Sequence, residues 1–164
     1  MRLKVVLPDI IGKHQTGFLK GRYIGENTRL VYDLMDYLLK INEPGLLLLV
    51  DFEKAFDMIK WSYIEEVLKA YNIGEDFEKW HKILNNGSNS CVINNGHFSQ
   101  FFNLERGCRQ GDPLSPYIFI LSIEPLAQYI LKCSKVKGIK VNSYEHKIGQ
   151  YADDTFGLLD GSKS

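Results

Sequence analysis

Apolar side chains recur at helical spacing in four parts of the chain. They return every three or four positions in Glu26–Asn42, and again in 61–73 and 75–86, which predicts three amphipathic helices. The stretch from 114 to about 133 is apolar nearly all round. It predicts a deeply buried helix, which Pro125 should kink or divide.

Other apolar runs are short and have the length of strands. Residues 46–52 begin as an unbroken run of leucine and valine, which predicts a buried strand. Asn-Gly lies between the apolar runs 91–93 and 98–104, a strong hairpin signal. Two more strands are predicted at 139–141 and 147–151, on either side of an Asn-Ser turn. Strands mixed with helices in this order predict an α+β sandwich.

Three aspartates stand at the ends of predicted strands. Asp153 and Asp154 lie where a strand ends and another begins, and Asp51 follows the leucine run. Each has an ordinary alternative, since an Asp pair is common in a solvated turn and Asp51 could cap a helix. If the strands are neighbours, the three carboxylates converge and can hold two divalent ions. Hard oxygen ligands favour Mg²⁺, or Mn²⁺.

Composition is that of one ordinary globular domain. The 164 residues carry 20 basic and 20 acidic side chains, so the net charge does not indicate a nucleic-acid binder. Residues 1–30 alone carry six basic and two acidic side chains, so any phosphate contacts are expected there and on Arg106, Arg109 and the lysines of 132–140. Ordinary surface charge is the alternative. Three scattered cysteines predict reduced thiols in an intracellular protein, of the nucleus or the cytoplasm. No signal peptide or membrane span is predicted, because the longest apolar stretch, 117–131, is interrupted.

Two glycine-bearing loops are candidates for contact with phosphate. Residues 1–25 are predicted to be irregular, and their basic side chains alternate with aromatic ones. In 105–113, Asp112 is a candidate N-cap and Pro113 a first-turn residue of the following helix. Backbone N–H groups there could meet a phosphate or a template. A surface loop and a capped loop without a ligand are the respective alternatives.

Four stretches together resemble the reverse transcriptase domain of non-LTR (LINE-type) retrotransposons. Their order and approximate spacing also fit, and they extend over nearly the whole chain. The stretches are Gln15-Thr16-Gly17-Phe18-Leu19-Lys20-Gly21-Arg22 with Glu26-Asn27, Asp51-Phe52-Glu53-Lys54-Ala55-Phe56-Asp57, Arg109-Gln110-Gly111-Asp112-Pro113-Leu114-Ser115-Pro116, and Tyr151-Ala152-Asp153-Asp154.

The resemblance implies the fingers and palm of a right-hand polymerase, with an antiparallel palm sheet packed on helices. It implies a single incomplete reverse transcriptase domain over 1–164, with the thumb missing. The fingers would comprise about 1–44 and 62–112, and the palm about 45–61 and 113–164. Without a thumb we expect exposed apolar surface, poor solubility and weak polymerisation.

The same resemblance implies RNA-directed DNA synthesis by two-metal nucleotidyl transfer. RNA template, DNA primer and dNTPs would be the partners, and Mg²⁺ the cofactor, with Mn²⁺ as a possible substitute. Asp51 and Asp153 would be the principal ligands and Asp154 would assist. The backbone carbonyl of Phe52 would add an oxygen.

The resemblance also implies a nucleotide pocket. Phe56 would reject a 2′-hydroxyl, although its pattern alone favours a core residue. Gln110 would lie against the incoming nucleotide, with a weaker role for Gly111. Arg22 would contact the triphosphate, or Lys20 in its place.

Tyr151 and Ala152 would shape the primer side of the hairpin. Two alternatives stay open. The chain could be an inactive retroelement remnant that at most binds nucleic acid weakly. It could also be another palm polymerase, such as a maturase or an RNA-dependent RNA polymerase.

Overall fold

The computed structural model describes residues 3–162 and separates into two compact units. The first unit comprises Met1–Glu53 and Pro116–Ser164, and the second comprises Lys54–Ser115. The second unit is therefore an insertion in the chain of the first. In chain order the described residues form α1 (Leu3–Ile10), α2 (Ile24–Ile41), β1 (Leu46–Val50), α3 (Ala55–Met58), α4 (Trp61–Ala70), α5 (Glu75–Asn85), β2 (Asn89–Ser90), β3 (Ile93–Asn94), β4 (His97–Phe98), β5 (Phe102–Asn103), α6 (Ser115–Lys132), β6 (Ile139–Val141), β7 (Tyr144–His146), β8 (Ile148–Tyr151) and β9 (Asp154–Leu159).

A three-stranded antiparallel sheet organises the first unit. Its order is β1-β9-β8, so the strand that comes last along the chain lies in the centre. β1 pairs with β9 from Leu46 opposite Leu159 to Val50 opposite Thr155. β8 and β9 form the predicted hairpin, with Tyr151 opposite Asp154.

Helix α2 supplies part of the core beneath this sheet. Leu34 is buried together with Leu158 of β9 and Ile139 of β6. Leu30 and Phe156 pack against the same cluster. Full burial of one such side chain contributes about 2 kcal/mol. The helical spacing that predicted α2 is therefore the spacing of a packing face.

Helix α6 is buried along its first half and partly open along its second. Residues from Ile118 to Glu124 are buried, whereas Leu126 and Tyr129 are exposed. The prediction of a helix buried on all sides is therefore wrong for the second half. Pro125 lies inside the helix without dividing it. The buried Lys147 closes the C-terminal end, donating from its Nζ to the carbonyls of Leu131 and Cys133.

Three sequence predictions for the first unit need correction. Residues 46–50 form a strand, but Leu46 to Leu49 are 39–74% exposed, because both faces of this edge strand, from which its side chains project, are open to solvent. Residues 1–25 are not wholly irregular, since α1 forms ahead of the first glycine and buries Leu3 and Leu7. The strand at 139–141 pairs with β7 rather than with 147–151.

The second unit consists of helices and short β-ribbons. α4 turns Ile64, Val67 and Leu68 inward. β3 and β4 form the predicted hairpin, although each strand is only two residues long. Asn95 and Gly96 have φ values of 47° and 77°. Positive φ at both loop positions is the requirement of a type I′ turn, which Asn-Gly satisfies well.

Candidate functional site

The three aspartates lie at one end of the first unit's sheet. Asp51 directly follows β1, Asp153 lies in the hairpin turn, and Asp154 begins β9. Val50 is opposite Thr155, so continuing the register by one residue brings Asp51 opposite Asp154. Asp51 and Asp154 are exposed and Asp153 is half-buried. Residues far apart along the chain therefore lie at the same end of the sheet. That their carboxylates form one site stays a prediction.

The turn that carries Asp153 has an unusual backbone. Tyr151 and Asp154 face each other, which leaves Ala152 and Asp153 as a two-residue loop. Ala152 has a φ of 55°, in the left-handed region that favours glycine. A non-glycine residue held there carries strain of about 1 kcal/mol or more. Ala152 is also buried, so the surrounding chain must hold it in place.

The side chain of Gln15 bonds to both main-chain polar groups of Ala152. Its Nε2 donates to the Ala152 carbonyl at 3.0 Å. Its Oε1 accepts from the Ala152 N–H at 2.8 Å and from the Gly17 N–H at 2.8 Å. Gln15 is completely buried. The segment around Gln15 is thereby tied to the β8–β9 hairpin through buried hydrogen bonds.

The chain on either side of Gln15 adds main-chain pairing to β8. The Gln150 N–H donates to the His14 carbonyl at 2.7 Å, and the Thr16 N–H donates to the Gln150 carbonyl at 2.9 Å. The buried Asn27 donates from its Nδ2 to the Gln150 carbonyl at 2.7 Å and to the Thr16 hydroxyl at 3.0 Å. Residues 14–16 thus act as a short extra strand beside β8.

Glu124 of α6 anchors the same segment from another side. Its carboxylate lies 3.1 Å from His14 Nε2 and accepts from the Gly12 N–H at 3.2 Å and from Gln128 at 2.7 Å. Burial by itself would raise the pKa of the Glu124 carboxyl. The hydrogen bonds of His14, Gln128 and Gly12 outweigh burial, so its pKa lies below the ordinary value. The carboxylate is therefore held in its charged form.

Arg22 is used by the main chain of its own unit. Its Nη1 donates to the carbonyls of Gly12 and Gln15, and its Nη2 donates to those of Pro8 and Ile11. These bonds fold the segment from the end of α1 to Gln15 around the guanidinium. Lys20, the alternative for a triphosphate contact, is exposed.

The remaining predicted nucleotide-pocket residues belong to the second unit. Phe56 is half-buried in α3, and its carbonyl accepts from the Cys108 N–H at 2.7 Å. Gln110 and Gly111 lie in an exposed turn, where Gly111 has a φ of 90°. Burial raises the pKa of the Cys108 thiol to about 11, so this cysteine is a protonated core residue.

Asp112 was predicted to cap α6 and Pro113 to begin it. The helix begins later, at Ser115. Asp112 instead accepts from the Leu114 N–H at 2.9 Å and closes the turn that precedes the helix. Asp112 therefore accepts a main-chain N–H from two residues ahead, as a capping side chain does, but that N–H belongs to Leu114, which precedes the helix.

The carboxylates provide a donor set that suits a hard cation. Asp51 follows the last paired residue of β1, and Asp154 is the first residue of the neighbouring β9. Carboxylate oxygens are the ligands that a hard cation prefers. Within residues 3–162, no three acidic, histidine or cysteine side chains are already arranged as a metal cage. No helix in that range is both long and apolar enough to cross a membrane.

Sequence reasoning missed the polar residues that support the hairpin. Gln150 is fully buried within an otherwise apolar strand, and Glu124 is buried within an apolar helix. A polar residue in such a run is itself a signal, because burial without a hydrogen-bond partner is costly. The sequence alone does not reveal the partners, which lie more than 100 positions away in the case of Gln15 and Ala152.

Sequence reasoning also missed a cavity in the second unit. It has a volume of about 790 Å³, and Trp61, His81 and Asn85 are among the residues that line it. His81 is buried, and burial lowers its pKa although Glu65 opposes that effect. The lowered pKa favours the neutral imidazole form of His81.

Known proteins with similar sequences are mobile-element proteins. A 149 kDa protein of transposon TX1 from Xenopus laevis is 31% identical over 156 residues, which is 94% of this chain and 12% of that protein. The Pol polyprotein of the type-2 retrotransposable element R2DM from Drosophila melanogaster is 29% identical over 140 residues, covering 85% of this chain and 13% of the polyprotein. The chain thus spans about an eighth of these relatives, and the resemblance to non-LTR reverse transcriptases is confirmed.

Solved structures support the expected fold. Apo telomerase from Candida tropicalis, truncated from its C-terminal domain, superposes with a TM-score of 0.63 and 11% identity. The match covers 98% of this chain and 32% of that one. A second telomerase structure from that organism, in complex with a TWJ fragment of telomeric RNA, gives the same TM-score at 12% identity, over 98% of this chain and 28% of that chain. At this identity the likeness concerns the fold, and it agrees with the fingers and palm of a polymerase.

The family model for reverse transcriptase (RNA-dependent DNA polymerase) matches residues 1–164. This match includes the hairpin with its paired aspartates, the strand that ends at Asp51 and the segment that holds Ala152. Because it extends along the whole sequence, the chain belongs to the reverse transcriptase family.

Proposed function

We propose that this chain supplies catalytic residues for RNA-directed DNA synthesis, in which a primer 3′-hydroxyl is extended by dNTPs. One observation carries the proposal. Asp51 and the pair Asp153 and Asp154 are about a hundred residues apart along the chain, yet the antiparallel register brings them to one end of the sheet. Membership of the reverse transcriptase family supports the same reaction.

The carboxylates would hold Mg²⁺, for which Mn²⁺ could substitute. Asp51 and Asp153 are our proposed principal ligands, Asp154 assists, and the carbonyl of Phe52 adds an oxygen. Two such ions, when bound, supply the Lewis acidity that activates the 3′-hydroxyl and stabilises the departing pyrophosphate. The protein's contribution is to hold negative charge at the sheet end where the triphosphate must approach.

The substrate assignments follow from the residues near the motifs. Ala152 is small, which leaves room for the primer terminus, and Tyr151 is half-buried beside the turn, where it would shape the primer side. In the second unit, Phe56 would exclude the 2′-hydroxyl, and Gln110 and Gly111 would contact the incoming nucleotide. Fingers at about 1–44 and 62–112, and a palm at about 45–61 and 113–164, remain our proposed division of the chain.

The triphosphate contact is better assigned to Lys20 than to Arg22. Both terminal nitrogens of Arg22 already donate to main-chain carbonyls. Drawing them toward a phosphate would leave those part-buried carbonyls without a partner. The side chain of Lys20 is exposed, so it can turn toward a phosphate without leaving a buried carbonyl unpaired.

Primer extension on an RNA template tests the function. Asp153→Asn and Asp51→Asn keep the size of the side chain and remove its charge, and each should lower Mg²⁺-dependent incorporation at least about a hundredfold. Asp36→Asn, on the exposed side of α2, is the matched control and should act like the wild type. Undiminished incorporation by Asp153→Asn would refute the ligand assignment.

The remaining outcomes separate the alternatives. A folded chain that binds template and primer but adds no nucleotide would support an inactive retroelement remnant. A preference for ribonucleotides would indicate an RNA-dependent RNA polymerase and would overturn the role given to Phe56. Incorporation of dNTPs on RNA that depends on Asp51 and Asp153 is the result that we expect.

A further inference from the structure

We propose that Gln15 is a positioning residue of the active site, which fixes the main chain of Ala152 and thereby orients Asp153 and Asp154. The inference rests on the proposed function, because it concerns the carboxylates assigned to the metal ions. It adds a residue of the first motif, distant along the chain, to the parts that determine the geometry of the reaction.

The turn needs such a support because its backbone is strained. Ala152 adopts a φ of 55°, which a residue with a Cβ atom rarely takes. Strained conformations persist only where the surrounding structure determines them. Asp153 follows Ala152 directly, so rotation of the peptide between them would move the carboxylate.

Gln15 matches the main chain of Ala152 group for group. Its amide N–H donates to the Ala152 carbonyl, and its amide oxygen accepts from the Ala152 N–H. The same oxygen accepts from the Gly17 N–H, so both of its lone pairs are used. Because Gln15 is completely buried, water cannot take over these bonds when the side chain is changed.

Gly17 shows how closely the two segments approach. A Cβ atom added at Gly17 would lie 2.4 Å from the Ala152 nitrogen and 3.1 Å from its Cα. Such distances are far below van der Waals contact with a main chain that cannot move aside freely. Any larger residue at 17 would therefore push against the turn that Gln15 holds.

Other bonds hold the 14–16 segment when Gln15 is altered. Thr16 donates to the Gln150 carbonyl, and Gln150 donates to the His14 carbonyl. Asn27 bonds to Gln150 and to Thr16. The loss of the Gln15 amide is thus a local change at Ala152, which makes its effect on catalysis separable from unfolding.

The experiment compares Gln15→Met with the wild-type chain by two measurements. Methionine has a similar shape but lacks the amide. Amide hydrogen exchange should become about tenfold faster at Ala152 and stay unchanged at Thr16 and Gln150. In primer extension, kcat should fall about 10- to 100-fold, since a displacement of about 1 Å suffices for that, while KM for dNTPs stays the same. Gln100→Met, at an exposed position, is the matched control.

A second substitution tests the cause. Glycine adopts positive φ without strain, so adding Ala152→Gly to Gln15→Met should restore part of kcat. Gly17→Ala should lower kcat in the same way as Gln15→Met. If Gln15→Met does not fold, Gln15→Asn, which keeps an amide but falls short of Ala152, takes its place.

The outcomes against the proposal are distinct. Unchanged exchange at Ala152 in the Gln15 variant overturns it, as does a loss of activity that appears only in KM. If the wild-type chain extends no primer, the proposed function fails. The exchange measurement would still decide whether Gln15 holds the turn.

Discussion

The two strands that bring carboxylates to the candidate site are supported in different ways. β8 lies between β9 and the 14–16 segment, and its residues from Ile148 to Gln150 are buried. β1 pairs with β9 alone, and Leu49 is 74% exposed. β8 is thus enclosed by neighbouring segments on both sides, whereas β1 is an open edge of the sheet.

The candidate site is therefore held by many contacts on the side of the β8–β9 hairpin and by few contacts on the side of β1. The hairpin is fixed by buried hydrogen bonds to Gln150 and Ala152, which accept only one arrangement. The position of Asp51 depends on a single ladder of main-chain bonds to β9. An edge strand with exposed leucines is also open to pairing with another strand.

The largest effect on stability is expected on the enclosed side. Ile148→Ala removes a side chain that is 5% exposed. It should lower the free energy of unfolding by about 3 kcal/mol, because the surroundings cannot close the cavity. Denaturant unfolding measures the change. A loss below about 1 kcal/mol would show that β8 is less enclosed than described.

A smaller effect on stability, which depends on pH, is expected at Glu124, whose carboxylate contacts Gly12 and His14. Glu124→Gln should cost about 2 kcal/mol near neutral pH, since the change removes a buried, hydrogen-bonded charge. The folded state lowers the pKa of Glu124 from its ordinary value of 4.5. The stabilisation that Glu124 contributes to the folded state is therefore fully present above pH 4.5. It is lost as the pH falls through the lowered pKa.

Unfolding of wild type and Glu124→Gln at a series of pH values checks this. The difference in stability between the two should be widest above 4.5 and should close in more acidic solution. A gap that widens as the pH falls would contradict the described environment of Glu124.

The smallest effect on stability is expected at the open edge. Leu49→Thr should change the free energy of unfolding by less than about 0.5 kcal/mol, because the leucine is largely in water already. It should also raise solubility, which sedimentation can measure against Ile148→Ala. A loss comparable to that of Ile148→Ala would erase the contrast between the two strands.

The sequence predicted the parts of the fold that local pattern determines. Leucine spacing identified α2, Asn-Gly identified the β3–β4 turn, and the Asp pair identified the β8–β9 hairpin. The convergence of Asp51 with that hairpin was also predicted, on the condition that the strands are neighbours. β1 and β9 are neighbours, so the condition is met. A carboxylate cluster at that end stays a prediction, since no three acidic, histidine or cysteine side chains within residues 3–162 are arranged as a metal site.

The rest depends on contacts that no local pattern encodes. A run of four leucines predicts a strand, but burial depends on what packs against the two faces of the sheet, and the leucines of β1 are exposed. Arg22 is the triphosphate contact that the resemblance implies, and the sequence does not reveal the carbonyls to which it donates. Gln15 belongs to the first motif, yet its bonds to Ala152 appear only when the chain is folded.

The order of the strands also has a consequence for how the protein folds. The partners β1 and β9 are separated by roughly a hundred residues, including the entire second unit, so their pairing closes a very long loop. Such pairings form slowly compared with helices and tight hairpins. During synthesis, the carboxylate of Asp51 must wait until residue 159 has left the ribosome before its strand gains a partner. The site therefore forms only after residue 159 has been synthesised, whereas the inserted second unit has local contacts from which it can fold earlier.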